Sequence, residues 1–181
     1  MKIVLTILII AVSTLFCEAN GLVYNPKLLQ KELAKKLNAD VSLLKELPQL
    51  SSQSMNTGKF FKVVKNDTLL GYVYVGRVVS CRAGGCSKDK KPLSVAEHYE
   101  YFDAFMIFNS QKVIESVRVF NYQATHGQEV CSKGWLKQFK NFSAEKNLVV
   151  GKDIDSISGA TISANALTNE VNYITQLLMV N

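Results

Sequence analysis

The stretch KFFKVVKNDTLLGYVYVGRVV, residues 59–79, decides the fold. Lys59 to Val64 and Leu69 to Val79 are rich in Phe, Tyr and Val, which suit a pleated, half-buried surface. Between them Lys65-Asn66-Asp67-Thr68 has the composition of a turn, so the segment is predicted to be a β-hairpin. The pattern returns in Tyr99 to Phe108 and Lys112 to Tyr122, around Asn109-Ser110-Gln111, and predicts a second hairpin. An antiparallel sheet of about four strands follows.

Outward from the hairpins the spacing turns helical. Asn25-Pro26 is expected to start a helix, with Asn25 as cap and Pro26 in the first turn, and Leu29, Leu33 and Leu37 then recur every fourth residue. Asp40 can cap a second short helix carrying Val41, Leu43, Leu44 and Leu47 and ending before Pro48, and Gln49 to Gly58 reads as polar linker. After the second hairpin, Ala124-Thr125-His126-Gly127 makes a turn and Glu129 to Phe142 reads as helical, with Val130, Trp135, Leu136 and Phe139 apolar. From Ser163 onward Leu167, Val171, Ile174 and Leu178 mark a closing helix, with Ser163 or Thr161 as its N-cap. The expected class is α+β, with N-terminal and C-terminal helices packed on the sheet. Residues 1–19 are read as an export signal, 20–58 as a helical segment with linker, and 59–181 as the functional domain.

The chain has 181 residues, of which 48% are apolar and 20% charged, a composition that supports a real core and excludes disorder or a fibre. Met1 and Lys2 precede an apolar run from Ile3 to Phe16, followed by Cys17-Glu18-Ala19, where an export peptidase could cut. The run is about 14 residues against the roughly 17 to 25 that span a bilayer, which favours a cleaved signal over a permanent anchor. Lipidation on Cys17 is the third option, disfavoured by Phe16 where a small residue is expected. The expected location is therefore periplasmic or at the cell surface.

Losing Lys2 and Glu18 would leave the net charge of +6 unchanged. The lysines are scattered without interleaved aromatics, which argues against nucleic acid and leaves a solvated surface, or weak attraction to an anionic membrane. Of the four cysteines, Cys81 and Cys86 can pair across Arg82-Ala83-Gly84-Gly85 in an exported protein, or Cys131 can be a partner. The Ser80 to Pro92 loop around them is basic and could dock an acidic redox partner. No C-x-x-C pair is present, so a structural zinc or a thioredoxin-type site has no support.

The chemistry is expected at Asp155-Ser156-Ile157-Ser158-Gly159-Ala160-Thr161, followed by Ile162 and Ser163. Small residues beside hydroxyls at a helix start suit a phosphate, because the leading amides of a helix carry partial positive charge. The nearest bland reading of Thr161 and Ser163 is helix capping, and of Asp155 a turn that bonds its own backbone. His126 either bonds a ligand's edge or is simply exposed in its turn, and Trp135 is core or a stacking partner.

The string D-x-x-S-G-A-T resembles the flavinylation motif of the FMN-binding domain family, which includes the periplasmic flavoprotein subunits of the sodium-pumping quinone reductase and of the Rnf complex. The resemblance covers most of the chain after the signal. It implies that a flavin transferase, using FAD and Mg2+, attaches FMN by a phosphoester to Thr161 and releases AMP, with Asp155, Ser158, Gly159 and Ala160 presenting the site. It also places Gln123 to Gly127 where the family has an E-T-P-G turn, with Gln123 for the acid and His126 for the proline. Thr125, His126, Gly127 and Trp135 become candidate flavin neighbours, as do Ile162 and Ser163. The implied role is electron relay with a membrane-associated donor or quinone system, more a carrier than an enzyme with its own small substrate. The rivals are a secreted binding domain displaying a disulfide-held loop, and a flavin-dependent reductase of a diffusible substrate.

Overall fold

The computed structural model of the chain describes residues 21–54, 58–82 and 99–181. The expected signal, and Cys86 with most of its loop, lie outside them, and of Cys81 only the backbone is described.

The two hairpins form where expected. Strand β2 (Lys59–Lys65) turns through Asn66 and Asp67, both at positive φ, into β3 (Thr68–Arg82). Asn and Asp tolerate that left-handed geometry better than other side chains, and it matches the twist of the flanking strands. Strand β4 (Tyr99–Asn109) turns into β5 (Ile114–Tyr122), with the Asn109 carboxamide oxygen accepting from the N–H groups of Gln111 and Val113.

A fifth strand was not expected. β1 (Leu44–Glu46) pairs antiparallel with β2, giving a sheet in the order β1-β2-β3-β4-β5. Only one 3₁₀ turn, Val41–Leu43, remains of the short helix expected after Asp40, although Asp40 caps it as foreseen, accepting from the Ser42 N–H at 2.9 Å. Pro48 begins helix α2 (Pro48–Ser51) instead of following one, and part of the expected linker is therefore ordered, with Leu50 buried and the Ser51 hydroxyl accepting from the Phe60 N–H.

Alternation along the strands gives the sheet two apolar faces. Helix α1 (Lys27–Leu37) covers one, setting Leu29 and Leu33 against Val63, Val73, Val75, Phe105 and Ile107. Pro26 is its cap residue rather than part of its first turn, and Asn25 does not cap it. On the opposite face the larger cluster joins Phe60, Tyr74, Phe102, Met106 and Phe108 to α4 (Thr161–Val180).

The expected helix over Glu129 to Phe142 is instead three short turns: Gln128–Cys131 (3₁₀), α3 (Lys133–Leu136) and Lys137–Phe139 (3₁₀). Ser132 leaves the helical region at ψ 123° and Lys140 is extended. The apolar residues that imitate helical spacing are buried from separate turns.

Candidate functional site

The segment 155–160 is fixed at both ends and bare in the middle. At its start both backbone groups of Asp155 are held: its N–H donates to Gln138 Oε1 and its carbonyl accepts from Trp135 Nε1, each at 2.8 Å. Trp135 is buried and meets Phe139 edge-on, with ring centroids 5.3 Å apart. Its ring is thus core, and its indole N–H braces the segment. At the other end Ala160 is buried and donates its N–H to the Ile157 carbonyl, while Ile157 packs against the larger core cluster.

Between these anchors Ser158 and Gly159 are exposed. Gly159 has φ +79° with nothing within 4 Å of where a Cβ would stand. The backbone conformation, not lack of room, makes glycine the fitting residue.

Ala160 is the N-cap of α4 and provides no side-chain hydrogen bond, so neither Thr161 nor Ser163 caps the helix as expected. Thr161 is the first helical residue and is exposed, and Ile162 beside it is 45% exposed. An uncapped α-helix presents amides with no intrahelical partner and the positive end of its dipole.

Ser163 turns inward. Its hydroxyl lies 2.9 Å from Tyr122 Oη, which donates its own proton to the His126 carbonyl at 2.5 Å. Ser163 is therefore the donor to Tyr122. Gly127 closes this corner at φ +93°: a Cβ there would stand 2.6 Å from Ser163 Oγ and 2.9 Å from Tyr122 Oη. Both torsion and space demand glycine.

The structure thus brings the turn ending at Gly127 to the start of α4, but through Tyr122, the His126 backbone and Ser163. The Thr125 hydroxyl is engaged elsewhere, donating to Glu100, and His126 is exposed. Tyr122 and Gln138 were missed from the sequence. Tyr122 ends a strand and Gln138 follows a one-turn helix, and nothing local marks the first as a partner of Ser163, 41 positions away, or the second as a partner of Asp155, 17 positions away.

Tyr122 stacks on Phe102, centroids 5.4 Å apart. Burial pushes its phenol above the ordinary tyrosine range, partly offset by the bond from Ser163, so it is neutral and fit to donate at neutral pH. Burial, with Glu129 nearby, likewise raises the thiol of Cys131. The thiol stays protonated, which weakens it as a nucleophile. Among the described residues no group of three or more His, Cys, Asp or Glu is placed to hold a metal ion, and no helix is long and apolar enough to cross a membrane.

Residues 102–176 match the family model of the FMN-binding domain. The matched segment begins in β4 and ends within the last turns of α4, so it contains the whole corner built by Tyr122, Gly127, Trp135, the 155–160 segment and Thr161. No curated protein matches the chain.

Proposed function

From the premise that residues 102–176 form an FMN-binding domain, we propose that the chain is an exported electron carrier with FMN attached by a phosphoester to Thr161. The observation that carries this reading is the exposure of Thr161 as first residue of a 20-residue helix whose cap position, Ala160, supplies no side-chain acceptor.

The residues fit the group. Thr161 is exposed to solvent, and Gly159, two residues before it, has open space where a side chain would stand. The first amides of α4 have no intrahelical partner, and the singly charged phosphodiester of an FMN on Thr161 would be stabilised by the positive end of the helix dipole. In the attachment reaction the Thr161 oxygen attacks the phosphorus on the FMN side of the FAD pyrophosphate. The bridging bond breaks, AMP departs, and the hydroxyl proton is lost to the transferase or solvent. When bound, the flavin supplies one- and two-electron redox chemistry.

The remaining residues present and shield. Trp135 and Gln138 hold the Asp155 backbone, so its exposed carboxylate projects from a fixed base toward an approaching transferase with its Mg2+. Tyr122 and Ser163 lock the Gly127 corner beside the helix start, and would give an attached cofactor a rigid neighbour. Attachment suits a protein outside the cytoplasm, where a dissociated cofactor would be lost by dilution. A membrane-associated electron-transfer protein or quinone system is the proposed donor.

Mass spectrometry of the chain co-expressed with a flavin transferase is the test. The expected result is one added FMN phosphoester that maps to Thr161. An unmodified chain, or one carrying the mass elsewhere, overturns the assignment.

A further inference from the structure

Far from the FMN corner, at the other end of α4, lies a cavity of about 550 Å³. A helix of this length separates the two places by about 30 Å. Leu47, Pro48, Leu50 and Leu178 give the cavity an apolar lining, and Lys62 and Lys112 also line it. Both lysines are half-buried, and neither has an ion-pair partner among the described residues. Among the described residues no Asp or Glu lines the cavity, and the α-carboxylate of Asn181 at its rim forms no ion pair with either lysine.

The register adds a third cation. Lys45 of β1 stands directly opposite Lys62 of β2, and directly opposed residues share one face of the sheet. Like charges so placed repel one another unless an anion lies between or above them. The neighbouring lysine of the same strand shows the contrast: Lys59 is paired with Glu46 at 2.9 Å. Lys112 is held in place by the β4–β5 turn, at φ +63°, with its N–H donating to the Asn109 carbonyl.

Tyr72, the cross-strand partner of Lys62, brings an aromatic ring and a hydroxyl to the same lining. Asn181 occupies the rim, its carboxamide donating to the Leu177 carbonyl and so covering one of the free carbonyls at the negative end of α4.

We infer that this cavity is a second binding site, for an amphipathic anion: an apolar chain or ring seated on the leucines, ending in a carboxylate or phosphate between Lys62 and Lys112. The volume suits a small ligand. The inference is independent of the flavin reading, since it uses no residue of that site.

Isothermal titration of the full chain with decanoate, decanol and inorganic phosphate separates the components. Decanoate is expected to bind at least tenfold more tightly than either of the others, and more weakly as salt is added. Lys62→Gln/Lys112→Gln is expected to lose that advantage while melting at the same temperature. Equal binding of decanoate and decanol, unchanged decanoate affinity in the double variant, or no decanoate binding by the wild-type chain overturns the site. Vesicles containing phosphatidylglycerol then distinguish the source of the anion. Binding to them that the double variant loses assigns a lipid headgroup, and decanoate binding without vesicle binding assigns a soluble molecule.

Discussion

The two faces of the sheet are closed by different means. On the α1 side every buried charge has its counterpart. Glu32 accepts from Ser116 at 2.9 Å and from Arg118 at 3.1 Å, and Asp103 accepts from Arg77 at 2.8 Å and from Asn121 at 2.7 Å. Arg77 also lies over the Tyr101 ring. On the α4 side a large aromatic cluster is crossed by the Tyr74 phenol, which donates to Glu170 at 2.7 Å, and the helix emerges from it with its first turn uncapped. Both faces hold the fold together, but only the α4 face continues into a helix start where polar groups are left open. In this molecule the proposed cofactor site lies where packing ends with backbone amides unspent.

Breaking the comparison at its sharpest point means removing the open hydroxyl. Thr161→Ala is expected to abolish FMN attachment completely, read by mass, while changing stability by no more than about 0.5 kcal/mol, since the residue is exposed. Thr161→Ser should restore at least part of the attachment.

The opposite outcome is expected on the other face. Leu33→Ala empties a fully buried position and should cost about 3 kcal/mol in denaturant unfolding, yet leave attachment in the folded fraction intact. Loss of attachment by that variant at equal folded population would show that the faces are coupled.

Tyr74→Phe removes a donor from the buried Glu170 carboxylate and should cost about 2 kcal/mol. Burial and the Glu170 charge raise the Tyr74 pKa, so the folded state holds this proton more tightly than the unfolded chain. Its contribution is therefore complete below about pH 10, where free tyrosine titrates, and is lost as pH rises beyond that. Chemical denaturation between neutral and strongly alkaline pH should show a steeper decline for the wild-type chain than for Tyr74→Phe.

The smallest effect is expected at the brace. Trp135→Phe keeps a ring but loses the bond to the Asp155 carbonyl, for about 1 kcal/mol. Hydrogen exchange in 155–160 should quicken, and attachment should slow several-fold without being lost. Unaltered exchange there would show that Gln138 holds the segment alone.

Both hairpins were legible because their information is local: a turn that tolerates positive φ between runs of Phe, Tyr and Val. β1 was not, because three residues acquire strand geometry only by pairing with Phe61 to Val63, and that pairing leaves no periodic mark. The turns after Gly127 misled by spacing alone, since Val130, Trp135, Leu136 and Phe139 reach the core from separate segments. Thr161 was singled out by its motif, but its place in the helix was misjudged by assuming that a hydroxyl must cap. Ala160 takes that position, and Ser163 spends its hydroxyl on Tyr122. Such a bond links residues 41 positions apart and exists only once the strand and helix have met.

The outer margins of the sheet carry one more consequence. β1 is three residues long and displays Lys45 and Glu46, while the beginning of β5 is already occupied by backbone bonds between Ile114 and the Asn141–Phe142 segment. A short, charged margin and a partly covered one are poor templates for strand addition by another chain. At high local concentration, copies of this domain therefore have little to hold on to one another by, and self-association into a continuous cross-chain sheet is guarded against by the same strand that local sequence patterns did not reveal.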